Sequence, residues 1–383
     1  MYELRDYQKE ASNAAVNFFF STTKRNSMIV LPTGSGKSLV IADIAFRLNA
    51  PVIIFQPSKE ILAQNFLKLQ SYGVWDCSVY SASFNSKHIS RITFAMIGSV
   101  ISKKEQFCCF KYAIIDECHL VNAEAGMYAD FIEATGCKVL GLTATPYRLH
   151  SSRSRGVMLR FLTRTHPRVF SDLIYQVQIK TLLERGYLAQ TEYYRIQLVD
   201  TRQLKINSTG ADYTDESIRE HYKNIGFDIN LENIVRRLLV AGRTSILVFT
   251  RFVDEANYLA QKIGGEAAVV SGKTPDANRK AILSMFKSGR IKVVANVGVL
   301  TTGFDFPELD TIVLARPTRS LSLYYQMIGR GIRPCPNKVN WVVDLCENFN
   351  RFGRVDDLKL AQIKPGIWAV FNGNRQLTNV YFK

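Results

Sequence analysis

An α/β protein of two domains, each a mostly parallel β-sheet flanked by helices, is the fold class this sequence predicts, and two observations carry it. In the first half, short β-branched runs alternate with amphipathic stretches: SMIVL, KSLVIADIAFRL, PVIIFQ and SKEILAQNFLKLQ, then RITFAMI, YAIIDE and KVLGLTAT as further strands. Buried apolar strands alternating with helical segments indicate βαβ units on a parallel sheet. After a break the pattern restarts, with SILVFT, EAAVVS, IKVVAN, DTIVLA and VNWVVDLC as strands and residues 252–263, 276–288 and 321–331 as helices. At 383 residues the chain has room for two or three domains of on the order of 150 residues each.

The break falls near a stretch rich in Arg, Ser and Thr, Leu149 to Pro167. The expected division is a first domain over 1–160, a hinge over 161–190 and a second domain over 191–383. Residues 201–228 are polar with little periodicity and read as an insertion or mobile loop. The last stretch, GIWAVFNGNRQLTNVYFK, is too short for a domain and reads as a final strand or a docking tail.

Hydrophobic residues make up 47% and charged residues 21% of the chain, which points to packed domains and excludes disorder as the default. The formal net charge is +16, with 19 Lys and Arg against 12 Asp and Glu in residues 1–165 and 30 against 21 in the rest. A basic tail would concentrate the excess at one end. A shared excess suits a nucleic acid lying across both domains, with a merely soluble basic surface as the plain alternative. The seven cysteines form no CxxC pair and do not interleave with the five histidines at zinc-ligand spacing, so neither structural zinc nor a disulfide framework is expected. MYELRDYQKE has no apolar core, and no run of about 18 apolar residues follows, which argues against secretion and membrane insertion.

LPTGSGKS, residues 31–38, follows a strand and opens a helix. Backbone N–H groups in a glycine turn point inward and meet phosphate charge, and the helix N-terminus adds its dipole. Thr33, Gly34, Ser35, Gly36, Lys37 and Ser38 are therefore the expected nucleotide cradle. Lys37 can reach the β- and γ-phosphates, and Ser38 can give a hydroxyl to Mg2+. Leu31 stands where the GxxxxGK[ST] pattern has its first glycine, while the turn-shaping Gly34 and Gly36 remain. YAIIDECH, residues 112–119, ends an apolar strand in two carboxylates at the carboxyl edge of the sheet, where the loop also lies. Asp116 is the expected Mg2+ holder and Glu117 the general base that polarises attacking water. Two buried carboxylates without a cation are costly, which itself argues for the metal. ATP and Mg2+ are thus the expected cofactors.

Through this loop and this box the chain resembles the superfamily 2 helicases. That resemblance implies two tandem RecA-like domains of the P-loop NTPase class, closing over one nucleotide and pulling on a nucleic-acid strand. DECH (Asp116 to His119) is similar to the family's DEAD/DEAH box. LRDYQ (Leu4 to Gln8) resembles its N-terminal glutamine motif, in which Gln8 would read the adenine edge with support from Arg5. Leu31 in place of the first glycine is common in that family. PSKEILAQ (Pro57 to Gln64) resembles the strand-contacting motif, and TATP (Thr143 to Pro146) the coupling motif. SILVFTRFVDEA, NVGVLTTGFDFPELD and QMIGRGIRP complete an ordered set spanning Leu4 to Pro334.

The resemblance implies that Gln326 orients water while Arg330 and Arg333 neutralise charge on the transferred phosphoryl group. Spaced three apart, the two arginines are expected on one helical face, with an exposed basic face as the plain alternative. Gly303 and Asp305 would lie near the nucleotide, and His119, Thr143 and Thr145 would couple hydrolysis to strand movement. Pro57, Ser58, Gly98, Ser99, Thr250 and Thr301 would hold backbone phosphates, largely blind to base sequence. For Ser58 and Ser99 simple helix N-capping is the other reading, and both roles can coexist. Because the expected catalytic set is split between residues near 37 and 117 and residues near 305 and 330, hydrolysis should require closure of the two domains.

MIVLPTGSGKSLVIADI, IIDECHL, LTATPYRL and VVDLCENFNRFG look like the RadD (YejH) group of bacterial DNA repair helicases and their phage relatives, with phage UvsW-type helicases and restriction-enzyme motor subunits less close. That implies DNA rather than RNA as the partner, unidentified repair or replication proteins beside it, and the cytoplasm of a bacterial or phage-infected cell. The longer C-terminal segment and cysteine cluster of that group have no counterpart in this sequence. Three other readings stay open: an RNA helicase, a motor that translocates without separating strands, and a non-catalytic clamp. The last predicts loss of catalytic side chains, and Lys37, Asp116, Glu117, Gln326, Arg330 and Arg333 are all present.

Overall fold

Strands that are buried at every position need cover on both faces of their sheet, and the first half supplies four of them. These are β1 (Ser27–Val30), β2 (Val52–Phe55), β5 (Ile92–Ala95) and β6 (Tyr112–Asp116); β3 (Cys77–Ser81), β4 (Ser86–Lys87) and β7 (Lys138–Thr143) join them. A hairpin of β8 (Tyr147–Ser152) and β9 (Gly156–Phe161) follows, and then β10 (Asp172–Gln176). The structure, a computed structural model, describes residues 3–152, 156–300 and 304–382. The first sheet runs β10-β1-β7-β6-β2-β5-β3-β4, parallel throughout except for β4. The helices Asp6–Phe20, Lys37–Leu48 and Lys59–Gln70 cover it; the first buries Tyr7, Ala11, Ala15 and Phe19 on one stripe.

A second sheet carries the later strands: β11 (Gln190–Arg195), β12 (Ile246–Thr250), β13 (Ala267–Ser271), β14 (Val293–Val297), β15 (Thr311–Ala315) and β16 (Val339–Asp344). Its order is β11-β16-β15-β12-β14-β13, every pair parallel. Two mostly parallel sheets in tandem bear out the expected α/β class.

Four elements differ from the sequence expectation. Residues 172–176, inside the expected 161–190 hinge, pair with β1 as the edge strand of the first sheet, so the run between the sheets begins after Gln176. Edge position explains why DLIYQ carries too few apolar residues to read as a strand. Second, the polar segment 201–228 holds the helix Asp215–Asn224, capped by Thr214 accepting from Ser217 N, with Asp215 and Glu216 in its first turn and His221 and Lys223 in its last. Its few apolar side chains, Ile218 and Tyr222, are both buried, which is enough to dock it. Third, the helix expected over 321–331 ends at Ile328. Gly329 and Gly331 follow, and a Cβ at Gly331 would collide with Asn340.

The C-terminal stretch is the fourth. It forms β17 (Leu358–Lys364), β18 (Ile367–Asn372), β19 (Arg375–Gln376) and β20 (Tyr381–Phe382), and it returns to the first half. Gln178 Nε2 donates to Leu360 O at 2.7 Å while Leu360 N donates to Gln178 Oε1 at 3.0 Å. β20 pairs antiparallel with β9 in a small sheet ordered β20-β9-β8. The stretch thus departs from the expected single strand or tail by forming several strands, and from the expected second domain by docking on the first half.

Gly141 in β7 faces a tight spot: a Cβ there would lie 2.6 Å from Cys118 Sγ and 2.8 Å from Phe170 Cε1. Gly141→Ala should cost about 1–3 kcal/mol by overpacking. Thermal unfolding of the variant checks this, and a melting temperature equal to wild type would show that the segment after Glu117 yields freely.

Candidate active site

The loop between β1 and the helix Lys37–Leu48 is shaped by Gly34 (φ +82°) and Gly36 (φ +79°), a left-handed backbone that suits glycine. It is pinned from outside. Gln8 Nε2 and Tyr7 Oη donate to Ser35 O at 2.8 and 2.6 Å, and Ser35 Oγ donates to Pro32 O at 2.6 Å. A Cβ on Gly36 would sit 2.5 Å from Gln8 Nε2, so the glycine also makes room for the glutamine. Gln8 Oε1 accepts from Arg5 N at 2.9 Å. These two bonds use one N–H and one oxygen lone pair of the Gln8 amide, which keeps a second donor and a second acceptor. Arg5 lies over the Tyr187 ring, 4.5 Å from its centroid, and donates to Tyr187 O at 3.3 Å.

At the carboxyl end of β6, Asp116 and Glu117 are both withdrawn from solvent. Glu117 holds a left-handed backbone (φ +50°, ψ +50°), a strain that non-glycine residues carry mostly at functional sites. Its carboxylate meets Lys37 Nζ at 3.3 Å and His119 Nδ1 at 3.3 Å. His119 Nδ1 in turn lies 2.9 Å from Thr143 Oγ1 and 3.2 Å from Thr145 Oγ1. Lys37, Glu117, His119, Thr143 and Thr145, expected in separate roles, thus form one connected network. Burial pushes the Glu117 carboxyl up, but Lys37 and then His119 outweigh it and hold the group well below the usual carboxylate range. Asp116 moves the other way, to about 7, through burial and then the charge of Glu117. Its hydrogen bonds come from Glu117 N at 2.9 Å and Asn65 Nδ2 at 3.5 Å.

The opposite wall belongs to the second half. Arg330 is buried and donates from Nη1 to Phe304 O at 2.9 Å; burial, then the nearby Arg333, lowers its pKa to about 9. Arg333 pairs with Asp305. Contrary to the expected helical face, both arginines lie beyond the helix end, in the turn that Gly329 and Gly331 permit. Gly329 brings that turn against the nucleotide loop, since a Cβ on it would meet Thr33 Cγ2 at 2.7 Å. Gly34, Gly36, Lys37, Ser38, Asp116, Glu117, Asp305, Arg330 and Arg333 line one cavity of about 540 Å³. Gln326, on the helix Leu321–Ile328, is not among its lining residues.

The residues expected on the strand sit less uniformly. Pro57 and Ser58 follow β2, and Ser58 Oγ caps the helix Lys59–Gln70 by accepting from Ile61 N at 3.3 Å. Gly98 and Ser99 follow β5, where Ser99 Oγ accepts from Ala82 N at 3.0 Å rather than capping a helix. Thr250 is fully buried and its hydroxyl is directed at Asn296 O, 3.4 Å away, so it does not face solvent. Thr301 and Gly303 lie outside the described residues. Sequence reasoning missed Asn65 and Tyr187. A buried Asn on an otherwise amphipathic helix is the available signal for the first; Tyr187 offers none, because its partner Arg5 is remote in sequence.

Residues 1–148 match the family described as type III restriction enzyme, res subunit, and residues 230–335 match the helicase conserved C-terminal domain. A 51.5 kDa protein of a Lactococcus phage is 26% identical over 86% of this chain and 67% of its own length. The putative ATP-dependent helicase IRC3 of Saccharomyces cerevisiae is 24% identical over 86% of this chain, which spans 49% of that protein. Among solved structures, the ATP-dependent type ISP restriction-modification enzyme LlaBIII bound to DNA is similar with a TM-score of 0.65 at 17% identity, over 90% of this chain and 28% of that one. The tandem RecA-like architecture expected from the resemblance is thus the architecture of its structural neighbours. One family match thus falls on the half that carries Lys37 and Glu117 and the other on the half that carries Arg330 and Arg333, and the chain is similar over both to helicase-family ATP-dependent proteins.

Proposed function

We propose that this protein is an ATP-driven motor that translocates along DNA and unwinds or remodels it, in repair, recombination or replication, and that within its superfamily it stands with the RadD-like helicases. The observation that carries the motor reading is the shared cavity: a phosphate-binding loop and two carboxylates on one side, two buried arginines on the other, each side from a different half of the chain. The choice of DNA over RNA is supported by the motif resemblance and by the DNA carried in the LlaBIII structure.

The residues present fit a magnesium nucleotide. The left-handed glycines leave the loop open for phosphate oxygens, and the acid of Asp116, lifted to about 7 beside Glu117, is a site that gains from a cation. Ser38 and Asp116 are the groups that would hold Mg2+, and two protein oxygens suffice for an ion that keeps several waters. When bound, the metal supplies charge neutralisation at the phosphates. Lys37, now on Glu117, turns its ammonium to the phosphates, and Glu117 is thereby released to accept the proton of the attacking water. The oxygen of that water joins the terminal phosphorus as the bond to the departing diphosphate breaks. Arg330 and Arg333 offset the charge that develops there. His119, Thr143 and Thr145 sense the change at Glu117 and pass it to the strand-facing edge through their hydrogen bonds. Gln326 acts on the water only after the helix that carries it shifts inward.

Three measurements test this. Glu117→Gln should lower ATP turnover roughly 100- to 10,000-fold while nucleotide still binds; unchanged turnover would remove Glu117 from the chemistry. Arg330→Ala should lower turnover about 1,000-fold or more, and because the residue is buried its melting curve must be compared with that of Arg330→Lys. Single-stranded DNA should stimulate ATP hydrolysis more than single-stranded RNA of equal length, and stimulation by RNA alone would overturn the DNA assignment.

A further inference from the structure

The hairpin of β8 and β9 sets two like charges directly opposite one another. Its register pairs Arg148 with Arg160 and His150 with Met158 on one face, while Tyr147, Phe161 and Leu159 are buried on the other. Like charges facing each other across an antiparallel pair are destabilising. Arg148 donates to the carbonyls of Leu120 and Val121. Among the described residues Arg160 makes no ion pair. His150 is held below its ordinary pKa by burial and then by Arg160, with Glu124 opposing. Arg148, His150, Arg160 and His166 share the lining of a cavity of about 270 Å³ with Asn122 and Glu124, the last an exposed side chain.

Position gives this basic face a meaning. β8 begins two residues after Thr145, at the carboxyl end of β7, and in a parallel sheet that is the same edge on which Ser58 and Ser99 follow β2 and β5. Arg148 ties the hairpin to the segment that immediately follows His119. Ser151 Oγ donates to Thr209 O at 2.8 Å, so the hairpin also touches the second half of the chain.

Resting on the motor reading above, we propose that Arg148, His150 and Arg160 on the β8–β9 hairpin, with His166, bind a backbone phosphate of the nucleic-acid strand. A phosphate lying between the two arginines converts their repulsion into a shared interaction. Through the carbonyls of Leu120 and Val121 it also ties occupancy of the strand site to the segment that carries Glu117 and His119.

The test is binding of a fluorescent single-stranded oligonucleotide to the full chain across a salt series, for wild type, Arg160→Ala and Arg160→Lys. Arg160→Ala should lose affinity several-fold, and its salt slope should fall by about 0.7 for each phosphate it no longer neutralises, whereas Arg160→Lys should stay close to wild type. Thermal unfolding without ligand separates binding from a structural role: relieving the repulsion should leave the melting temperature of Arg160→Ala equal or higher. Wild-type binding with Arg160→Ala unchanged in affinity and slope overturns this inference alone. Wild-type failure to bind any oligonucleotide overturns the motor reading and this inference with it. Inorganic phosphate that raises the wild-type melting temperature, while Arg160→Ala binds the oligonucleotide normally, makes the pocket a free-anion site and overturns it as well.

Discussion

Two carboxylates that are neighbours in sequence cannot both stay ionised in a buried site unless a cation answers them, and the architecture of the cleft follows from that constraint. Lys37 supplies one charge and settles on Glu117; Asp116 is left to hold a proton up to about pH 7. The groups around the pair hold it close to the loop. Asn65 and the backbone N–H of Glu117 occupy Asp116, and His119 is wedged between Glu117 and two threonines. The strained backbone of Glu117 is part of the same arrangement, since it turns the carboxylate away from its neighbour and toward Lys37.

Much of this is legible in the residues. Strands such as VIIF, ITFA and YAIID are continuous apolar runs because both faces of a parallel sheet are covered, and the loop and DECH box carry local spacing. What stays hidden depends on groups remote in sequence. DLIYQ and QTEYYR are edge strands, half-exposed and polar enough to pass for linker. The arginine turn reads as helix because a spacing of three fits a helical face, and nothing local says that Gly331 must clear Asn340. The hold of Gln8 on Ser35, a pairing between residues 27 apart, likewise has no local signal.

The junction between the halves is made of small groups in close approach. Gly329 abuts Thr33, and Gly34 lies where an added Cβ would be 3.2 Å from Leu188 Cδ2. These close approaches at the loop stand beside a hydrophobic cluster that joins both halves through residues such as Tyr147, Tyr325, Leu358 and Leu360. Tyr187 adds a ring for Arg5 and Tyr7, placing the run between the sheets in direct contact with the first helix and, through Tyr7, with the loop. A change in angle between the sheets therefore reaches Ser35 through two aromatic contacts as well as through the arginines.

The pairing of β20 with β9 has a bearing on biosynthesis. Because residues 381–382 complete a small sheet begun by residues 147–161, the first half of the protein is not closed when its own sequence has left the ribosome. The outer edge of β9 waits for more than 200 residues of chain with its hydrogen-bonding groups unmet, the condition under which strands recruit unintended partners. Maturation of the amino-terminal lobe is thus tied to the synthesis of residues 381–382, and chains released before them would carry that adhesive edge exposed.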